Sequence, residues 1–250
     1  MTFTSATLLG FVLVLTRLSV FFATAPIFSW ITIPVRIKVG LALFCSFFFS
    51  LSLSPPEIGA GVGLLEVVLM FMMEGIYGLS LGLILTMLYS AVKVCGRILE
   101  MQMAMSMAQE MDPFRGERQQ PLSILFEIIF LLLLLSANVH HMFLELLHTS
   151  FEAFGPGEFP GVAGMTQAVI EAGSMMLVFG LRLAIPALVV FTILMVVLAV
   201  MARIAPEMNI LFLSLPFKVG LGLLIAAYLV PYIQTYVSEY ANAVGRMLPI

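Results

Sequence analysis

The spacing of charged residues constrains this chain more than any other feature. Between charges run apolar stretches approaching or exceeding about 20 residues, the length a helix needs to cross a hydrocarbon core of about 30 Å. Six such stretches stand at roughly 3–28, 39–54, 67–92, 122–146, 173–202 and 210–238, and the only charges inside them are Arg17, Glu74, Glu127, Glu145, Arg182 and Lys218. The second is short for a full crossing. Helix breakers separate several of them: Pro26 and Pro34, then Pro55-Pro56 with Gly59, Gly61 and Gly63, then Gly155-Pro156-Gly157 with Pro160-Gly161. Pro186, Pro216 and Pro231 fall inside later stretches and predict kinks there.

Composition agrees with a membrane reading. The chain is 62 % hydrophobic and 10 % charged, with mean hydropathy +1.14, against about 25 % charged in soluble domains. That balance excludes a soluble globule, a disordered chain, collagen and a coiled coil. The expected fold class is an all-α membrane-type protein of about six long apolar helices forming kinked hairpins. A net charge of −3 offers no basic field for a phosphate backbone, so no nucleic-acid partner is expected. Cys45 and Cys95 sit in apolar runs, where a thiol behaves as a small hydrophobe. Ala23-Thr24-Ala25 mimics a signal-peptide cleavage site, but no Lys or Arg precedes Arg17 to make a basic leader, so the first stretch is expected to be a retained span.

Lysine and arginine sort by loop. Arg36 and Lys38 fall in the first, Lys93, Arg97, Arg115 and Arg118 in the third, and Arg203 and Lys218 at the fifth, while the alternate loops have none and the tail only Arg246. The positive-inside rule then places both termini outside the cytoplasm.

Three constellations bear on function. Arg17, Glu74 and Arg182 lie inside apolar stretches, where an ion costs about 2.5–3.5 kcal/mol on insertion scales and faces protein or a cavity. One carboxylate does not pair ideally with two arginines. An ion or proton path is one reading and a pin between helices or subunits the other; voltage sensing fails because the arginines do not recur along one helix. His141, Glu145 and His148 share a helical face. The histidine backbones, however, stand about 10 Å apart along the axis, too far for ligands that converge on a metal at about 2 Å. No metal is expected. Neither a nucleophile elbow, nor a P-loop, nor a dinucleotide fingerprint occurs, and the single aspartate, Asp112, lacks a partner carboxylate. Neither an enzyme nor a cofactor is expected.

The third is the segment 101–121. Met101, Met103, Met105, Met107 and Met111 bring flexible thioethers that fill irregular gaps. Asp112-Pro113 then breaks the chain, and Phe114, Gly116 and Pro121 bound a polar turn. One reading is ordinary core methionine followed by an exposed loop. The other is an adaptable seal with a loop lying across a passage.

From end to end the sequence resembles the FliR family of flagellar biosynthesis proteins, the R subunits of type III export gates, whose injectisome relatives are the T subunits. The resemblance rests on Arg17-Leu18 leading to Ala25-Pro26, Pro34-Val35-Arg36-Ile37-Lys38, Gly96 through Gln102 with Asp112-Pro113, and Asn138 before His140. Further along it rests on Ser150-Phe151 before Pro156, Arg182-Leu183-Ala184 with Pro186, Arg203-Ile204-Ala205-Pro206-Glu207-Met208-Asn209, and Pro216-Phe217-Lys218. The sequence departs from the family pattern at Ala104, where glycine is usual, at Met107, where phenylalanine is common, and at Glu207, where glutamine is frequent.

The resemblance implies a P-subunit-like part, residues 1–172, followed by a Q-subunit-like helical hairpin, residues 173–250. It implies a plug loop at about 106–122 that closes the lumen of a gate built with separate P- and Q-type subunits. Met105, Met107, Met111 and Phe114 would be seal contacts, Asp112 and Pro113 would shape the turn, and Arg115 and Arg118 would hold the closed loop. The implied partners are the P- and Q-type subunits, a B-type switch subunit and other export-apparatus proteins, membrane lipid, and unfolded exported flagellar proteins as cargo. The implied location is the bacterial inner membrane within the flagellar basal body, with the assembled gate raised toward the periplasm. Two rivals remain: an injectisome T subunit, and a secondary transporter or ion channel built on Arg17, Glu74 and Arg182.

Overall fold

In a computed structural model of the chain, residues 5–29, 33–53, 63–105, 120–158, 161–207 and 209–247 are described. They are helical almost throughout: α1 (Ser5–Thr24), α2 (Val35–Ser52), α3 (Leu64–Gln102), α4 (Pro121–Ser136), α5 (Val139–Ala153), α6 (Val162–Ile204) and α7 (Ile210–Met247). Local sequence explains several boundaries. Helix α1 stops just before the Ala25-Pro26 step, where proline disfavours helical backbone at the residue ahead of it. Pro121 opens α4 at the first helical position, where its missing N–H leaves no bond unmade. Serine and threonine inside the apolar helices turn their hydroxyls back onto carbonyls of the preceding turn, as Thr16 does to Val12 (2.9 Å) and Ser46 to Ala42 (2.6 Å). A polar side chain is thereby satisfied without water.

Among the described residues, five helices are each long and apolar enough to cross a bilayer, and a sixth span results if α4 and α5 are taken together. The fourth apolar stretch, expected at about 122–146, is a bent pair, with α4 and α5 meeting at a 71° bend. Its cause is Asn138, which takes a left-handed conformation (φ 58°, ψ 24°) at the start of α5. Asparagine tolerates that region better than most residues. Other helices outrun their expected spans. Helices α3 (39 residues), α6 (43) and α7 (38) would extend about 55–65 Å at 1.5 Å per residue, nearly twice a hydrocarbon core of about 30 Å. Pro186, Pro216 and Pro231 lie within α6 and α7, which continue through them.

The chain forms two compact units, one of Met1–Leu88, Asn138–Gly173 and Ala241–Ile250, the other of Tyr89–Ala137 and Ser174–Tyr240. In the first, the core side of α1 carries Leu13, Val14, Leu18, Phe21 and Phe22 and that of α3 carries Tyr77, Leu81, Ile84 and Leu88, all buried. Both sets recur at helical spacing. Glycines let the two backbones approach: a Cβ at Gly78 would collide with the carbonyl of Arg17, and one at Gly82 with Thr24. Thr86 Oγ1 fills the remaining gap by donating to the carbonyl of Thr24 at 2.6 Å.

The second unit is organised around aromatic rings. Phe130 of α4 lies 5.5 Å from Tyr89, 5.3 Å from Tyr236 and 5.7 Å from Tyr240, centroid to centroid. Tyr89 donates its hydroxyl to the carbonyl of Glu127 (3.1 Å), which satisfies its polar end inside an apolar cluster.

Much apolar surface stays uncovered. Only 11 % of the apolar stretch of α2 and 17 % of that of α6 is buried within the chain. Val189, Ile193, Val196 and Val200 of α6 are all more than half exposed. Surface of that size and character marks a lipid or protein contact.

Candidate functional site

Arg17 is fully buried, the most deeply buried charge among the described residues of the first unit. Its Nε donates to Glu74 Oε2 at 2.6 Å and its Nη2 to Oε1 at 3.0 Å, a two-pronged pair between α1 and α3. Nη1 donates to the Ser150 carbonyl, and both terminal nitrogens reach the Phe154 carbonyl, each at 3.2 Å. The guanidinium thus finds an acceptor for its full set of N–H groups. Its flat faces are covered as well, with Cζ standing 4.4 Å from the Tyr77 ring centroid and 4.0 Å from that of Phe151.

Glu74 is completed from the other side. Its Oε1 also accepts the backbone N–H of Gly157 at 2.8 Å, and Gly157 presents that N–H from a left-handed turn (φ 92°). Glycine is suited to this position by conformation, since a Cβ would meet only ordinary contacts at 3.8 Å. The carboxylate and guanidinium therefore tie α1, α3, the end of α5 and the turn behind it into one knot, with 0 % and 1 % of their side chains exposed. Arg17 has all its N–H groups engaged, and Glu74 accepts three hydrogen bonds while almost wholly buried.

Arg182 behaves differently. Its partner is Glu239 of α7, at 3.5 Å, with 67 % and 36 % of the two side chains exposed. The pair borders an open cavity of about 250 Å³ lined also by Phe179, Pro186, Tyr232 and Tyr236. Two to three turns before Glu239 on α7, the hydroxyls of Tyr228 and Tyr232 lie 2.8 Å apart. Of the other charges inside apolar stretches, Glu127 pairs with Lys93 at 3.2 Å.

The histidines do not converge. His148 approaches Glu152 at 3.6 Å and the rings of His140 and His141 lie 4.2 Å apart. Among the described residues no group of His, Cys, Asp and Glu is placed to hold a metal.

Of the expected seal residues, Met105 is half-buried just beyond the turn that follows α3. Met107, Met111, Asp112, Pro113, Phe114, Arg115 and Arg118 lie outside the described residues. Both flanks of that segment are described. On one side Met103 is buried, fitted against Gly222, where a Cβ would collide with its side chain. Ala104 follows at φ 57°, a conformation that costs a residue with a Cβ about 1–2 kcal/mol. On the other side Glu100 accepts the backbone N–H groups of Leu122 (2.6 Å) and Ser123 (3.0 Å) through Oε1, while Ser123 Oγ donates to Oε2 (3.2 Å).

Sequence reasoning gave no pairing role to Glu100, Glu239, Ser150 or Gly157. The signal for Glu100 was available: a lone carboxylate in Ile98-Leu99-Glu100-Met101, on the apolar side of the breaker-rich segment.

A family model describing bacterial export proteins, family 1, matches residues 8–244. The chain belongs to that family. It is 28 % identical over 234 residues to the flagellar biosynthetic protein FliR of Escherichia coli strain K12, covering 94 % of this chain and 89 % of the relative. The FliR of Bacillus subtilis strain 168 is 30 % identical over 217 residues, 85 % of this chain and 83 % of the relative. That of Aquifex aeolicus strain VF5 is 27 % identical over 227 residues, with 90 % and 86 % covered. The family membership and the long apolar helices make this an integral membrane protein of a bacterial export system.

Proposed function

We propose that the chain is a core subunit of the flagellar type III export gate, assembling with P- and Q-type subunits into a channel for unfolded flagellar proteins. The observation that carries the reading is the family match over residues 8–244, together with relatives of nearly the same length named for flagellar biosynthesis. Two physical features support it. Helices nearly twice as long as a bilayer core is thick need surroundings beyond lipid, and the open faces of α2 and α6 need neighbours. A gate whose subunits cover one another supplies both.

Within that reading, residues 1–172 act as the P-like part and 173–250 as the Q-like hairpin. The segment 106–122 is the plug, with Met105, Met107, Met111 and Phe114 against the lumen and Arg115 and Arg118 holding the closed position. Soft thioethers suit a seal that must reopen for cargo of varied sequence. The subunit sits in the inner membrane, does no catalysis itself and leaves energy coupling to partner proteins. A transporter built on Arg17, Glu74 and Arg182 is disfavoured, because the Arg17 and Glu74 groups are consumed by each other and by backbone.

Two measurements test the proposal. The chain should copurify with P- and Q-type membrane proteins as one particle, and recovery only as a solitary chain in lipid overturns the gate reading. Deleting 110–118 from the assembled particle should raise its small-ion conductance; an unchanged conductance removes the plug.

A further inference from the structure

Helices α6 and α7 are separated by five residues and meet again far from that connection, where the Phe179 and Tyr236 rings lie 5.2 Å apart and Arg182 reaches Glu239. Their charges fall in register. On α6 no charge occurs over 183–202, between Arg182 and Arg203, and on α7 none over 219–238, between Lys218 and Glu239. Each run is about 20 residues, or about 30 Å at 1.5 Å per residue, the thickness of a hydrocarbon core. Within the runs Val189, Ile193, Val196 and Val200 of α6 and Leu223 and Leu224 of α7 are more than half exposed. Exposed hydroxyls there are satisfied by the chain itself: Thr192 Oγ1 donates to the Leu188 carbonyl at 2.7 Å, Ser238 Oγ to that of Thr235 at 2.8 Å, and the Tyr228 and Tyr232 hydroxyls share a hydrogen bond. Such a surface matches acyl chains, and its charged ends then fall at headgroup level.

The two ends differ in charge. Arg203 and Lys218 are both cations, whereas Arg182 and Glu239 sum to zero and border the cavity of about 250 Å³. That volume is below the about 300–1,000 Å³ of sites for drug-sized ligands. Its lining passes from the charged pair to Pro186, one turn into the apolar run, and to Tyr232, about two turns in from Glu239. The pair itself is held by a single long contact, Arg182 Nη1 to Glu239 Oε1 at 3.5 Å, with 67 % of the arginine side chain exposed. A contact of that kind exchanges easily for another partner.

We infer that this cavity binds the headgroup of a zwitterionic phospholipid of the phosphoethanolamine class, with its phosphate on the Arg182 guanidinium, its ammonium on the Glu239 carboxylate and its first acyl carbons against Pro186 and Tyr232. A guanidinium matches a phosphate through its forked donors, and a primary ammonium brings three donors to a carboxylate. A phosphoglycerol headgroup offers Glu239 no cation and sets an anion beside it; a phosphocholine offers a cation without an N–H. The inference needs only the membrane character of the chain and is independent of the plug.

The test uses the full chain in detergent, with native mass spectrometry reading the dissociation constants of single added lipids: phosphatidylethanolamine, phosphatidylglycerol and phosphatidylcholine with identical acyl chains. Phosphatidylethanolamine should bind about fivefold or more tightly than either of the others, the scale of one exposed ion contact. Glu239→Gln should erase that preference, Arg182→Gln should weaken all three lipids, and Arg203→Gln should leave the preference intact. Phosphatidylglycerol binding as tightly as phosphatidylethanolamine overturns the assignment. A preference that survives both Glu239→Gln and Arg182→Gln overturns it too, because the lipid then sits elsewhere. Soluble glycerophosphoethanolamine should compete only weakly; displacement of the lipid at equal concentration means that the site takes a soluble phosphoester, and the lipid reading falls. Ranking and competition are read on the parent chain, so they decide even where a variant fails to fold. In the particle assembled with P- and Q-type subunits, Glu239→Gln should lower the copurifying phosphatidylethanolamine; unchanged content means that a protein neighbour covers the cavity, and the inference falls. If no such particle forms, the gate reading falls, and the ranking on the chain alone decides the headgroup site.

Discussion

The two arginine–glutamate pairs have the same chemistry and opposite surroundings. Arg17 and Glu74 are sealed in the first unit, bonded through both prongs, stacked between two rings and completed by backbone from α5 and the turn behind it. Arg182 and Glu239 meet through one long contact at the edge of an open cavity. A charge buried in a dry core has to be matched atom by atom, since its desolvation penalty is several kcal/mol. A charge at an open face keeps other solvation and holds its partner loosely. The sequence treats the two arginines alike, one lone cation in each apolar stretch, yet one serves as a fixed joint and the other remains available to whatever lines that cavity.

The joint is the easier to break. Removing one partner strands the other as an uncompensated ion, so Arg17→Leu or Glu74→Leu should each lower the unfolding free energy of the detergent-solubilised chain by about 3–5 kcal/mol. Removing both together should cost less than the sum of the two, the signature of direct coupling. Arg17→Lys should behave nearly as badly as Arg17→Leu, since an ammonium has neither the forked donor geometry nor the flat faces that Tyr77 and Phe151 cover. Near-neutral singles, measured by denaturant unfolding, would mean the pair is solvated and the comparison with Arg182 is empty.

The glycines beneath the joint sharpen the point. At Gly78 an added Cβ would run into the Arg17 carbonyl, whereas at Gly75, one turn earlier, it would meet only Thr16 Cγ2 at 3.9 Å. Gly78→Ala should therefore destabilise by about 1–3 kcal/mol through forced separation of α1 and α3. Gly75→Ala should gain up to about 1 kcal/mol from helix propensity alone. Equal effects from the two, read in the same unfolding assay, would show that α1 and α3 do not approach at backbone level.

What could be read from sequence follows the physics of each feature. Charge-free runs report the apolar helices directly, because crossing a bilayer or packing among helices both require them; hence the all-α class and the span count were legible. The ends were not. Helix α3 continues past Val92 through Lys93, Arg97 and Glu100, because charged residues end a hydrophobic run without ending a helix. The bend at Asn138 was hidden because a single residue at positive φ leaves the hydrophobic pattern intact. Pairing was hidden for a different reason. Arg17 finds Glu74 fifty-seven positions away, and Gly157 completes the carboxylate from eighty-three positions away. No local rule carries such information. Gly155-Pro156-Gly157 was readable as a breaker, but its second role, aiming an N–H at a buried carboxylate, exists only in three dimensions.

The smallest expected effect is at the open pair. A double-mutant cycle between Arg182→Ala and Glu239→Ala on the isolated chain should give a coupling below about 1 kcal/mol, the range of exposed ion pairs with imperfect geometry. The value matters because of what it leaves unspent. Arg182 contributes one contact at 3.5 Å and keeps most of its side chain exposed, so within this chain that contact engages little of its guanidinium. If the coupling were instead as large as that of Arg17 and Glu74, Arg182 would already be committed within this chain, and the contrast between a closed joint and an open contact would fail.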